Sequence, residues 1–284
     1  MQTKAPKVSV LTPIYNTNPI HLREMIESIL SQTFTDFEFL ISNDSPENKE
    51  IDKIIKEYAK SDNRIQYYKN DKNIGITRSR NKLLKMAQGE YLAIFDHDDI
   101  SLPDRLEKQV DFLDNNPYVG VVSGWAQCFE NRNDLIKKPE SDIKIKIYLT
   151  DNSSVIHTAT MIRKSVLIDN NIEYEEYYSP AEDYRLWTRL MDVTHFYNIP
   201  CVLVKYRVHN ENTTAKQNST MSKKHDIIQQ FVCNRYPMLR NEFDKKYNLG
   251  TKFRLRLFGI PLLKIKNNKI YLFEFIPVFK ILWR

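Results

Sequence analysis

The chain has 284 residues, 42% hydrophobic and 27% charged, enough to bury a substantial core and too balanced for a disordered or fibrous protein. Its formal charge of +6 is unevenly placed: residues 251–284 hold eight basic side chains and one acid, which leaves residues 1–250 at −1. A neutral body argues against nucleic acid as a partner, and the three scattered cysteines, Cys128, Cys201 and Cys233, form no C-x-x-C pair or disulfide framework.

Sparse cysteines suit a reducing compartment. Residues 1–7 are polar and carry no signal-peptide pattern, and no apolar run reaches the ~18–20 residues of a spanning helix. The expectation is a soluble protein on the cytosolic side. Residues 8–11 are β-branched and apolar and lead into Thr12-Pro13-Ile14-Tyr15-Asn16, read as a strand and then a loop. Residues 21–32 place Leu22, Met25, Ile26, Ile29 and Leu30 at helical spacing. Residues 37–41 are the next strand, closed by the turn-rich Ser42-Asn43-Asp44-Ser45-Pro46. A second amphipathic helix carries Ile51, Ile54, Ile55 and Tyr58, and residues 65–68 are a third strand. The loop Asn73-Ile74-Gly75 opens a helix over residues 77–86. Residues 92–95 have the uniform apolar character of a strand covered on both faces, and they stop abruptly in Asp96-His97-Asp98-Asp99. A helix over residues 103–115, with Leu106, Val110 and Leu113 inward, precedes a strand at residues 119–123. Such alternation over about 125 residues predicts a parallel sheet with helices on both faces and all the polar strand ends on one side.

Beyond Glu130 the pattern loosens. Residues 144–149 and 154–163 fit strands or short helices equally. Residues 180–187 read as a helix start, with Glu182 and Asp183 at the positive end of its dipole. Residues 202–208 are a strand and 221–240 a helix. In the tail, residues 257–265 are echoed by residues 272–281 with one insertion.

The acids at 96–99 carry the chemistry. Three carboxylates in four positions repel one another unless something positive sits among them. They fall where open α/β sheets bind ligands, just beyond the carboxyl end of a strand. Asp96 and Asp98 have the spacing to offer oxygen ligands to a hard divalent cation, whose remaining ligands would be waters and substrate phosphates. The alternative is a polar turn that caps the following helix, a task Ser101 and Pro103 can perform unaided.

The ordered set Val8-Ser9-Val10-Leu11-Thr12-Pro13-Ile14-Tyr15-Asn16, Ser28-Ile29-Leu30-Ser31-Gln32-Thr33-Phe34, Asn73-Ile74-Gly75, Arg80-Asn81, Gly89-Glu90-Tyr91 and Asp96-His97-Asp98-Asp99 resembles the family 2 glycosyltransferases of GT-A fold. Pro180-Ala181-Glu182-Asp183 and Tyr206-Arg207-Val208-His209 extend the match, so that it spans residues 7–215. The resemblance implies an α/β, Rossmann-like GT-A fold with a mostly parallel sheet flanked by helices. Residues 1–125 would be the nucleotide-sugar half and residues 126–215 the acceptor and catalytic-base half. Residues 216–284 would be a helical, then basic and apolar, extension. By the same resemblance the donor is a UDP-hexose: Pro13 and Tyr15 flank the uracil, Asp44 reads its N–H, and Arg80 lies near the base and phosphates. Arg78 is the lesser candidate for that arginine, reading otherwise as an exposed helix charge. The family commonly has two acids and then Gly-Ser where this chain has Asn43-Asp44-Ser45-Pro46, which leaves base selectivity open.

Asp96, His97 and Asp98 match the metal signature, with Asp98 the direct ligand to Mn²⁺ or Mg²⁺, Asp96 beside it and His97 filling the variable middle. His209 matches a histidine that meets the same metal or the phosphate. Asp183 matches the catalytic base of inverting enzymes, and Glu182 either exchanges roles with it or caps the helix. His157 falls in a segment that borders the acceptor pocket in the family, and Trp125 is either a sugar platform or core. The implied acceptor is a polyprenyl-diphosphate-linked glycan, as for bacterial relatives that build O-antigen or capsule. The basic, apolar tail would lie on the inner face of the cytoplasmic membrane or else pack on the domain. A nucleotidyltransferase would need a Gly-rich basic loop after the first strand, and a dinucleotide oxidoreductase G-x-G-x-x-G. Residues 13–18 offer neither. A membrane-surface module without catalysis is the remaining alternative.

Overall fold

The computed structural model describes residues 5–209 and 218–247, together with the backbone of residues 254–257, 260–266, 269–272 and 276–280. Four strand–helix repeats open the chain: β1 (Val8–Ile14), α1 (Pro19–Leu30), β2 (Phe37–Asn43), α2 (Lys49–Ser61), β3 (Ile65–Lys69), α3 (Ile76–Met86), β4 (Tyr91–Ile94) and, after the short β5 (Ile100–Ser101), α4 (Arg105–Asn115). Every residue of β1, β2 and β4 is buried, as the apolar runs require of strands covered on both faces. Helix α1 buries Leu22, Met25, Ile26 and Ile29, one stripe at helical spacing, and each such side chain contributes about 1.5–3 kcal/mol by leaving water. It starts at Pro19 behind Asn18, whose side chain accepts the Ile20 N–H at 2.9 Å. Asn48 caps α2 in the same way through Ile51 N–H.

The second half supplies β6 (Val119–Glu130), β7 (Leu135–Ile136), α5 (Asp142–Leu149), β8 (Met161–Arg163), α6 (Lys164–Asp169), α7 (Glu182–Leu190), β9 (His195–Val208) and α8 (Asn218–Arg235). The strands join one sheet in the order β3-β2-β1-β4-β8-β6-β9-β5, with β7 on β6. Strands β3, β2, β1 and β4 are parallel. Strand β8 runs against both β4 and β6, and β6 pairs parallel with β9. The sheet is therefore mostly parallel, as expected. From β1 the chain winds outward to β2 and β3, then returns to place β4 on the other side. That reversal opens a crevice beyond the carboxyl ends of β1 and β4. Pro13 marks its edge. It pairs with Ser42 on β2, but the β4 register has ended at Leu11 and Ile94, so its missing N–H costs no ladder bond. Gly89 precedes β4 where the chain passes close to β1: a Cβ there would lie 2.5 Å from the Ser9 nitrogen.

Residues 144–149, left open between helix and strand, lie in α5, and residues 154–163 divide between a 3-10 turn at His157–Ala159 and β8. Strand β6 continues past Ser123, and β9 begins well before Val202. Their pairing shifts register around Gly124 and Trp125 and steps from Ile199 to Val202 past Pro200, which breaks the alternation that marks a strand. The expected helix over residues 221–240 is two helices, α8 and α9 (Pro237–Lys246), with Pro237 starting the second.

By contacts the chain divides into Met1–Arg235 and Tyr236–Arg284, so α8 belongs with the first unit. The second holds α9 and an antiparallel sheet of β10 (Arg254–Leu257), β11 (Ile260–Lys266), β12 (Lys269–Leu272) and β13 (Ile276–Lys280), in that order. The internal echo is a repeated hairpin: in each copy the register shifts where a proline is paired, Arg256 with Pro261 and Tyr271 with Pro277. The tail's expected basic and apolar side-chain surface lies outside the described residues.

Candidate active site

Strand β4 delivers Asp96, His97, Asp98 and Asp99 into the crevice, and the loop they form is fixed by Thr158 and Arg207. Asp96 donates its backbone N–H to the Thr158 hydroxyl at 3.2 Å. Asp99, 1% exposed, accepts the Arg207 backbone N–H at 2.8 Å. Arg207, near the end of β9, donates from Nε to the Asp98 carbonyl at 2.6 Å, ion-pairs with Glu24 and Glu130, and lies 4.5 Å over the Phe129 ring. A buried guanidinium thus holds the acidic loop by its backbone. Below it Arg105, fully buried, donates to the carbonyls of Ile94 and Thr160. Burial pushes Arg105 down to about 9, while the charges of Asp99 and Asp96 work the other way. Asp99 is pushed well up by burial first and by the charges of Asp98 and Asp96 next.

The side chains of this loop reach outward to three elements. Asp98 Oδ2 lies 2.9 Å from His209 Nε2, the residue after β9, and the His209 ring lies 5.6 Å from His21. Asp96 Oδ1 lies 3.2 Å from Arg80 Nη2 and 3.5 Å from His157 Nδ1. Burial alone would raise the Asp96 carboxyl, but His157, Arg80 and His97 outweigh it and hold it below the usual carboxylate range. The other Arg80 amine pairs with Glu182, the first residue of α7. Arg80 therefore draws α3, the strand-end acids and the two acids of α7 into one site. Asp183, half-buried, follows directly, its Oδ1 accepting the Tyr184 N–H at 2.7 Å. Burial lowers Lys138, and the charge of Asp183 partly offsets this. Helix α8 packs on α7, stacking His225 on Tyr184 at 4.7 Å.

Of the residues expected to meet a base, Tyr15 is 53% exposed at the end of β1, and Pro13 is buried beneath it in the strand. Asp44 is 3% exposed and accepts from Asn70 Nδ2, Ile74 N and Gly75 N at 2.8–2.9 Å. Its carboxylate is largely taken up in holding the 73–75 loop, where Gly75 has φ 86°. Arg78 is the exposed helix charge, paired with Glu176 at 2.9 Å. His97 keeps a buried Nδ1 with no hydrogen-bond partner. His157 is 8% exposed and faces inward, with Nε2 2.9 Å from the Tyr174 hydroxyl. Trp125 is half-buried with the Lys137 ammonium 4.7 Å over its ring.

Among the described residues no preformed cluster of three metal-ligating side chains occurs. Asp98 and His209 nonetheless offer hard oxygen and nitrogen donors side by side, 13% and 19% exposed, with Asp96 on the same loop. That set fits a divalent cation that completes its shell with diphosphate oxygens and water. Sequence reasoning passed over Arg207 and Tyr174. Arg207 stood inside a quoted segment, and its neighbour His209 drew the attention. Tyr174 lies in an irregular stretch where no periodicity marks a residue as inward.

The sheet is doubly wound, and acids at the end of its fourth strand line the crevice where such folds bind their ligands. The family model for glycosyl transferase family 2 matches residues 9–170, and the chain belongs to that family. It is a glycosyltransferase. An uncharacterised glycosyltransferase of Methanocaldococcus jannaschii is 37% identical over 212 residues, covering 73% of this chain and 72% of the relative. One from Haemophilus influenzae is 30% identical over 236 residues, covering 77% and 72%. Among solved structures, S. aureus TarS 1–349 in complex with UDP superposes with a TM-score of 0.62 at 19% identity, over 86% of this chain and 76% of that one. The mannosyltransferase PcManGT from Pyrobaculum calidifontis, in complex with GDP-Man and Mn²⁺, superposes with 0.64 at 17% identity, over 85% and 70%. These likenesses establish the GT-A fold.

Proposed function

We propose that the protein is an inverting, divalent-metal-dependent hexosyltransferase that moves a hexose from a UDP-sugar to a glycan, forming a β-glycosidic bond. The observation that carries this reading is the Arg80 bridge between Asp96 and Glu182. It joins a donor-side acid to the first acid of α7 through one guanidinium, so that the acids at the end of β4 and those of α7 serve one site. Exposed Tyr15 offers its ring to the base over Pro13, and Asp44 holds the adjoining loop, with its remaining lone pair for a base N–H. UDP and UDP-GlcNAc bound to TarS support uracil, and GDP-Man in the Pyrobaculum enzyme makes guanine the alternative to test. Arg80 and His157 both address Oδ1 of Asp96, which leaves Oδ2 for the donor.

Mn²⁺ or Mg²⁺ held by Asp98, with His209 and Asp96 beside it, would neutralise the charge gathering on the departing diphosphate. Glu182 is committed to Arg80, so Asp183 is the base. It takes the proton of the acceptor hydroxyl as that oxygen bonds to the anomeric carbon and the bond to the diphosphate breaks, its electron pair leaving with the phosphate. His97 fills the turn between the two acids. In this reading His157, with Nδ1 facing Asp96, serves the donor side.

The acceptor in this reading is a polyprenyl-diphosphate-linked glycan of O-antigen or capsule type. Supporting it is the basic segment 251–284, suited to the anionic inner face of the cytoplasmic membrane. No helix among the described residues is long and apolar enough to cross a membrane. Calorimetric titration of UDP and GDP, with Mn²⁺ and with EDTA, tests the donor site. Mn²⁺-dependent binding of one nucleotide, lost in Asp98→Ala, is the expected result. Equal binding in EDTA would remove the metal from the account.

A further inference from the structure

We infer that Asn81, Tyr174 and His157 form a positioning chain that aims the Asp96 carboxylate at the nucleotide donor. The inference rests on the donor-site reading above and deepens it. Asn81 grips the backbone of Tyr174 from both sides: its amide nitrogen donates to the Tyr174 carbonyl at 2.8 Å, and its oxygen accepts the Tyr174 N–H at 3.0 Å. Asn81 sits next to Arg80 on α3, so one turn of helix sets both the arginine on Asp96 and the tyrosine behind it. Tyr174 is 2% exposed, with the Arg80 guanidinium 5.5 Å over its ring and its hydroxyl 2.9 Å from His157 Nε2.

The tautomer follows from what the other ring nitrogen faces. Were Nε2 to carry the proton, the Nδ1 lone pair would point at a carboxylate 3.5 Å away, two negative lobes meeting in a buried site. Every other form of the ring carries a proton on Nδ1 that points at Asp96 Oδ1, with the tyrosine hydroxyl as the partner of Nε2. Nδ1 has no hydrogen bond as it stands, and a shift of about 0.5 Å would make one. The neighbouring Thr158 accepts the Asp96 N–H, so consecutive residues of one 3-10 turn hold the backbone and the side chain of the same aspartate. Trp187 lies against the histidine, ring centroids 6.0 Å apart, and restricts its rotation. With Arg80 and His157 sharing Oδ1, the second oxygen has a single direction. Neither Tyr174 nor His157 touches substrate in this account; both act through Asp96.

The test uses the full-length chain and titrates UDP and GDP in Mn²⁺ beside a thermal melt. Tyr174→Phe keeps the ring and loses only the hydroxyl. It leaves His157 Nε2 without its partner and is expected to melt a few degrees below the parent, while nucleotide affinity falls about 10–100-fold, the range for outer groups that orient the ligands of a metal site. His157→Asn retains an N–H donor near the Nδ1 position and is expected to recover part of the affinity that His157→Ala loses. Parental affinity in Tyr174→Phe would overturn the inference, as would affinity losses that merely track the melting temperature with Asn no better than Ala. If the parent binds neither nucleotide, the donor-site reading itself falls, and the positioning chain with it.

Discussion

The Arg80 bridge is both a catalytic and a structural claim, and Arg80→Met separates the two. The side chains of Arg80 and Glu182 are 12% and 5% exposed, and Glu182 Oε2 is buried without a hydrogen bond of its own. Removing the guanidinium strands a carboxylate with little access to water, and breaking a buried pair in this way costs about 3–5 kcal/mol. For a unit of this size each kcal/mol lowers the melting temperature by about 2–4 °C, so Arg80→Met should melt some 6–20 °C lower. Glu182→Gln removes the charge that was stranded. The double variant Arg80→Met/Glu182→Gln should therefore recover at least half the loss, a coupling of about 2 kcal/mol or more. Urea unfolding followed by tryptophan fluorescence suits the measurement, because Trp187 on the same helix is fully buried. Both variants should lose transfer activity, since Asp96 has lost its cation. A cost below about 1 kcal/mol for Arg80→Met, or single-variant costs that simply add, would refute the reasoning.

Asp183→Asn should fold as the parent and keep its nucleotide affinity while the transfer rate falls by about 10²–10⁴, as for loss of a general base; near-normal turnover would remove Asp183 from that role. Gln32 is 4% exposed and ties α1 to the start of α4, donating to the Leu102 carbonyl at 2.8 Å and accepting the Leu106 N–H at 3.1 Å. Gln32→Ala should cost about 1–3 kcal/mol by denaturant titration for the groups it orphans, and no loss would show that water replaces it. Arg64 hydrogen-bonds Asp62 and holds its carboxyl below the ordinary value despite partial burial. A depressed folded-state pKa gives stability that is present above the unfolded value, about 3.9, and lost as pH falls. Asp62→Asn should thus cost about 1 kcal/mol or less at pH 7 and nothing near pH 2; a melting difference independent of pH would contradict this.

The first 125 residues are legible because their signals are local. Ile51, Ile54 and Ile55 mark a face of α2, and residues 92–95 read as a covered strand without knowledge of what covers them. The acids at 96–99 also announce themselves, since like charges in sequence need a cation in space. What escaped depends on partners far along the chain. Strands β6 and β9 stay paired only because each carries unpaired residues, β6 at Gly120 and β9 between Ile199 and Val204, and a bulge erases the period by which a strand is recognised. Asp44 reads from sequence as a base contact, yet its oxygens mostly serve a loop some 30 residues on. His157 reads as an acceptor neighbour because its segment borders that pocket in relatives. Its ring instead turns inward toward Asp96, a choice made by Tyr174 and Trp187. Arg207 is buried with two carboxylates from α1 and β6, a grouping that no single stretch contains.

The central claim is transfer from a nucleotide-sugar with inversion. It is tested most directly by incubating the protein with a panel of UDP- and GDP-hexoses and a lipid-diphosphate-linked GlcNAc acceptor, in Mn²⁺ or EDTA, and reading the anomeric proton coupling of the product by NMR. The account predicts Mn²⁺-dependent release of UDP from one donor and a β-linked product from an α-linked donor sugar. A product that keeps the donor's anomeric configuration, or turnover undiminished in EDTA, would contradict it.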